Sequence, residues 1–105
     1  MAYNSSDEKQ VKKARKKAEF DDALRLDVIR SVMQTAPGRL WIYGMLEECH
    51  IYGNPFVPGQ PDVTAFNLGE ANRGKRLLAD VQNACPDLYL TMIQEAKNSS
   101  NTPTT

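Results

Sequence analysis

The sequence predicts an all-α protein of about four helices around one small core, with an exposed basic N-terminal helix and a disordered C-terminal tail. Three observations predict it. Apolar residues recur at helical spacing from Phe20 to Ala96. No segment alternates apolar and polar residues with a period of two. Proline and glycine punctuate the pattern at Pro37, across residues 50–61 and at Pro86. With 105 residues the chain is one domain by length, and it can bury only one modest core.

The elements follow in order. Ser5-Ser6-Asp7-Glu8 has the form of a capping box, in which Ser5 caps the amide of Glu8 and Glu8 reaches back. The Lys-, Arg- and Ala-rich segment behind it favours helix but offers only Val11, Ala14 and Ala18 for burial. It should be exposed and frayed. From Phe20 the stripe thickens through Ala23, Leu24, Val28 and Val32, with Leu26, Ile29 and Met33 widening it. This helix should end near Gln34, because Ala36 precedes Pro37.

Thr35 can cap the second helix, with Pro37 in its first turn. Leu40, Trp41, Gly44, Met45 and Cys49 form its expected apolar side, so Trp41 is expected to be buried with Met45. Residues 50–61 read as a loop, partly packed through Ile51, Tyr52, Phe56 and Val57. Asp62 or Thr64 should cap the third helix, whose apolar positions include Phe66, Ala71, Gly74, Leu77, Leu78 and Val81. Gly69 and Gly74 each cost about 1 kcal/mol relative to alanine, and close approach of a neighbouring helix would offset that cost. Pro86 opens the last helix, with Asp87 in its first turn and Leu88, Tyr89, Met92, Ile93 and Ala96 inward. The domain boundaries expected from this reading are 1–19 for the basic extension, 20–97 for the helical body and 98–105 for the tail.

Charge is balanced at 13 basic and 13 acidic residues, which argues against a wholly basic nucleic-acid coat. The balance hides an asymmetry. Residues 9–17 carry six basic side chains and no acid; from residue 18 onward seven basic face eleven acidic, a net of −4. No apolar run is long enough to span a membrane, and the first residues lack the apolar stretch of a secretory signal. The chain is therefore expected to stay in the cytosol where it is made. Cys49 and Cys85, without CxxC spacing, read as small apolar residues rather than a disulfide.

Catalytic groupings are not evident. His50 is the sole histidine, so a histidine-and-thiolate metal site is not expected; it reads as a loop residue after a helix end. Glu47 and Glu48 project about 100° apart on a helix and make no facing acid pair. No phosphate-cradling glycine loop is present, and no cofactor is expected. The candidate nucleic-acid contacts are Lys9, Lys12, Lys13, Arg15, Lys16 and Lys17, with Arg73, Lys75 and Arg76 as a second cluster. No aromatic residue interleaves the first run, so base stacking is not implied, and a solvated surface ranks ahead of a phosphate-binding one. Glu70 can pair with Arg73, three positions on. Asn67, Glu70 and Asn72 are the candidate interaction residues, able to hold a loop or a partner in place.

These residues also carry a resemblance. Asp27 to Leu46 runs helix, Thr35 with Pro37-Gly38-Arg39 close behind, then an aromatic-rich helix. Ile51-Tyr52-Gly53-Asn54, Phe66-Asn67-Leu68-Gly69 and Pro86-Asp87-Leu88-Tyr89 follow. Across about residues 20–96 the chain resembles a family of small domains first described in a Bordetella podophage and encoded by tailed bacteriophages among head and packaging genes. Leu68 and Ala71 stand where many relatives carry Glu and Arg. The resemblance implies a bacteriophage protein, non-enzymatic, that works through protein contacts in virion assembly or DNA packaging. It implies a place in the host cytoplasm or the virion, and other phage proteins as partners. A homo-oligomer and DNA stay open as partners; no membrane and no small-molecule substrate is expected. The alternative reading is a DNA-binding protein, either a small packaging-initiation subunit or a regulator of host genes.

Overall fold

The first helix is the element that sets the shape. In the computed structural model, which describes the backbone of residues 5–101 and the side chains of 6–99, α1 runs unbroken from Ser5 to Met33. The basic extension and the first helix of the body are thus one rod of 29 residues, about 43 Å long at 1.5 Å per residue. Asp7 and Glu8 occupy its first turn, where the positive end of the helix favours them. Glu8 pairs with Lys12 at 3.5 Å, one turn on. Every side chain from 6 to 25 is exposed, and only Leu26, Ile29, Val32 and Met33 enter the packed body. The principal extents are 71 × 41 × 15 Å, because the exposed half of α1 projects beyond the other helices.

Three further helices complete the all-α fold: α2, Ala36–Glu48; α3, Pro61–Ala84; α4, Pro86–Asn101. α2 and α3 each pack against all the others. The core is Ile29 and Met33 of α1, Ile42 and Leu46 of α2, Val81 of α3 and Met92 of α4. Between α1 and α2 the chain turns as the sequence predicts. The Thr35 hydroxyl accepts from the amide of Gly38 at 3.1 Å, and Pro37 sits in the first turn. Gly38 is tightly confined, since a Cβ there would lie 1.8 Å from the carbonyl oxygen of Val32.

α2 ends in a Schellman turn. The amide of Ile51 donates to the Leu46 carbonyl at 3.1 Å and that of His50 to the Glu47 carbonyl at 3.0 Å. His50 takes the left-handed conformation that glycine usually fills, at φ 61°. The loop that follows is pinned to α3 rather than capping it. The Thr64 hydroxyl accepts from the Val57 amide at 2.9 Å, and Asn67 donates to the Pro55 carbonyl at 3.1 Å. α3 itself opens on Pro61 after Gln60, which makes no side-chain cap. The expected cap at Asp62 or Thr64 is therefore replaced by proline in the first turn and a hydroxyl that serves the loop. Tyr43 and Tyr52 stack at 5.1 Å, which holds the start of the loop against α2. α4 carries the chain through Asn101, and residues 102–105 of the expected tail lie outside the described residues.

Four expectations about faces are corrected. Trp41 and Leu40 are 61% and 68% exposed; Ile42 and Leu46 take the core positions instead. Four consecutive apolar residues, Leu40 to Tyr43, offer two adjacent stripes, and the packing of α1 and α4 selects the one on Ile42. Phe20 and Leu24 lie on the far side of α1 from Ile29 and Val28 on its flank, and all three are exposed. Phe66 is exposed on α3. Gly69 meets nothing within 4 Å, so only Gly74 makes the close approach expected of both.

Candidate interaction surface

Gly74 lets the end of α2 approach α3, and the two helices diverge from α1 around an open groove of about 1090 Å³. Its floor is apolar: Ile29 of α1, Trp41, Met45 and Cys49 at the α2 side, and Leu77 of α3. Its rim is charged. Arg25 donates to Asp80 through Nε at 3.0 Å and Nη2 at 3.3 Å, and through Nη1 to Asp22 at 2.9 Å. Those hydrogen bonds, Asp80 foremost, raise the Arg25 pKa above its ordinary value. Five residues further along α1, Arg30 donates to the Ala84 carbonyl at 2.8 Å. These two arginines clamp α1 beside the C-terminal half of α3, and the Arg25–Asp80 pair lines the groove.

Arg73 and Arg76 of α3 also line the groove, with Asn72 beside them, while Lys75 does not. The second basic cluster is thus split, because residues 75 and 76 point about 100° apart. Lys9, Lys12, Lys13, Arg15, Lys16 and Lys17 are all exposed on the projecting half of α1, and none lines the groove. Asn67 and Glu70 turn inward. Asn67 holds Pro55, and Glu70 takes the Nε2 of His50 at 3.1 Å rather than Arg73, which corrects the expected pairing. Both residues therefore secure the loop, and Asn72 alone of the three reaches the groove.

Sequence reasoning missed the arginine clamps. Arg25 and Asp80 are 55 positions apart, and only the (i, i+3) partner Asp22 was visible locally. Arg39 pairs with Glu95 across α2 and α4 and donates to the Met33 carbonyl at 2.8 Å, which ties three helices together. Among the described residues no group of three His, Cys, Asp or Glu side chains is placed to hold a metal ion, and no helix is long and apolar enough to cross a membrane. Cys49 and Cys85 are free thiols, and burial pushes the Cys85 pKa up.

The groove combines an accessible indole, a methionine and three arginines. Tryptophan, methionine and arginine are the residue types enriched where proteins meet, because each brings large contact area with a polar or adaptable edge. In comparisons with known proteins, no family model, no curated protein and no solved structure matches the chain.

Proposed function

We propose that this is a non-enzymatic bacteriophage protein that acts through protein contacts in virion assembly or DNA packaging, in the host cytoplasm or the virion. The observation that carries the protein-contact part is Trp41, 61% exposed beside an apolar groove floor. A domain this small gains stability by burying its one tryptophan, and an exposed one rimmed by arginines supports a partner that covers it. The phage setting rests on the residue pattern from Asp27 to Tyr89. The test is genetic. Removing the gene from its genome should lower the yield of filled particles, and Trp41→Ser should do the same while the protein stays folded. Unchanged particle yield without the gene overturns the reading.

A second reading, a DNA-binding subunit or regulator, is favoured by one observation. The six basic side chains of residues 9–17 are all exposed on a projecting helix, within reach of phosphates.

A further inference from the structure

The outward face of α1 carries a seam that the groove does not use. Lys13, Lys17, Phe20, Leu24, Asp27 and Ser31 follow one another at spacings of four, three, four, three and four, the a/d positions of a heptad. They lie about 120° to 180° around the helix from the core residue Ile29. All six are exposed, with Phe20 at 67%, Leu24 at 52% and the Asp27 side chain at 69%; Asp27 accepts from Arg30 of its own helix through Oδ1. Two apolar residues at the centre are thus flanked by two lysines on one side and an aspartate and a serine on the other.

That order is self-complementary when reversed. We infer that two copies of this chain associate through α1, antiparallel and related by a twofold axis beside residue 22. In that register Phe20 of one copy meets Leu24 of the other, Lys17 meets Asp27 and Lys13 meets Ser31, each contact occurring twice. Neighbouring registers fail. A shift of one heptad in one direction sets Phe20 against Lys17 and Leu24 against Lys13; the other sets Leu24 against Asp27. Only the central register pairs apolar with apolar and base with acid, which is the reason the occupant is a second copy rather than an unrelated helix. Sterically the bodies stay apart. Each sits at the C-terminal end of its own α1 and on the face opposite the seam, so the grooves remain open at both ends of the dimer. The inference stands independently of the function proposed for the groove.

Sedimentation equilibrium of the full chain at low salt tests it. The expected result is a monomer–dimer equilibrium that shifts to monomer as salt rises. Lys17→Asp alone places two aspartates together, and Asp27→Lys alone places two lysines together, so each variant should dimerise at least about tenfold more weakly. Mixing the two single variants should restore association, because both contacts between positions 17 and 27 in the mixed dimer then join an acidic to a basic side chain. Both positions are exposed, and circular dichroism should show unchanged helix content. Trp41→Ser should leave the equilibrium unmoved. A wild-type chain that stays monomeric at several hundred micromolar overturns the inference. So does a dimer insensitive to both charge reversals, or one dissolved by Trp41→Ser, since either places the contact elsewhere.

Discussion

Gly74 and Cys49 are packed so closely that a Cβ on the glycine would lie 2.5 Å from the Cβ of the cysteine, with the Ile51 side chain 2.9 Å away. The crossing of α3 with the end of α2 is built on that absence of a side chain. Gly74→Ala should therefore destabilise despite alanine's better helix propensity, and Gly74→Leu should cost about 1 to 3 kcal/mol through overpacking. Gly69→Ala is the matched control. It meets nothing within 4 Å, so it should stabilise by up to about 1 kcal/mol. Urea midpoints of the three variants check this, and a stabilised Gly74→Ala would show that the crossing is loose.

Trp41 should behave as a surface residue. Its emission should be that of an indole in water, readily quenched by acrylamide. Trp41→Ala should change stability by no more than about 0.5 kcal/mol, the usual range for surface positions. Burial would instead have made the cost about 3 to 5 kcal/mol. Ile42→Ala, one position on, should show the large loss, because Ile42 is 2% exposed in the core.

Glu95 predicts an acid sensitivity. The hydrogen bond from Arg39 holds its carboxyl below the ordinary carboxylate value. A depressed folded pKa contributes stability that is present above the unfolded value of about 4.3 and lost as pH falls through the folded one. Glu95→Gln should lower the melting temperature at neutral pH and lose less than wild type between neutral and acid. Equal acid sensitivity in both proteins would show that the pair does not couple to folding. The Arg39 pKa, raised by the same bond, titrates too high to add to this window.

Local signals were legible in the sequence where one residue type answers one local demand. Thr35 with Pro37 marks a helix start because a hydroxyl and a fixed φ are both needed within four residues, and the cap is found there. Pro86 ends one helix and opens the next for the same reason. What was not legible depends on partners far along the chain. Leu40 to Tyr43 permit two core stripes, and only the placement of α1 and α4 chooses Ile42 over Trp41. Gly69 and Gly74 look alike in sequence, yet one faces solvent and the other Cys49. One rim of the groove is closed by the clamp of Arg25 on Asp80, a contact without a periodic signature. The stripe of Phe20 and Leu24 looks like a core face in sequence and is exposed in the structure, because helical spacing reports amphipathicity without saying what covers it.

The projecting half of α1 separates the two functional readings. Side chains 6–17 are all exposed and make no contact with the core cluster, so removing residues 1–17 should leave the melting transition of the body nearly unchanged. Under the DNA reading, full-length protein binds labelled duplex at low salt without sequence preference. Six basic side chains give a slope of about −5 in log affinity against log salt if each neutralises one phosphate. The truncated protein then loses that binding. Equal binding by both forms moves the contact to Arg73 and Arg76 in the groove, where Arg73→Glu should abolish it. An absence of binding by either form rejects the DNA reading and leaves the protein-contact reading of the exposed Trp41 groove to the particle-yield test.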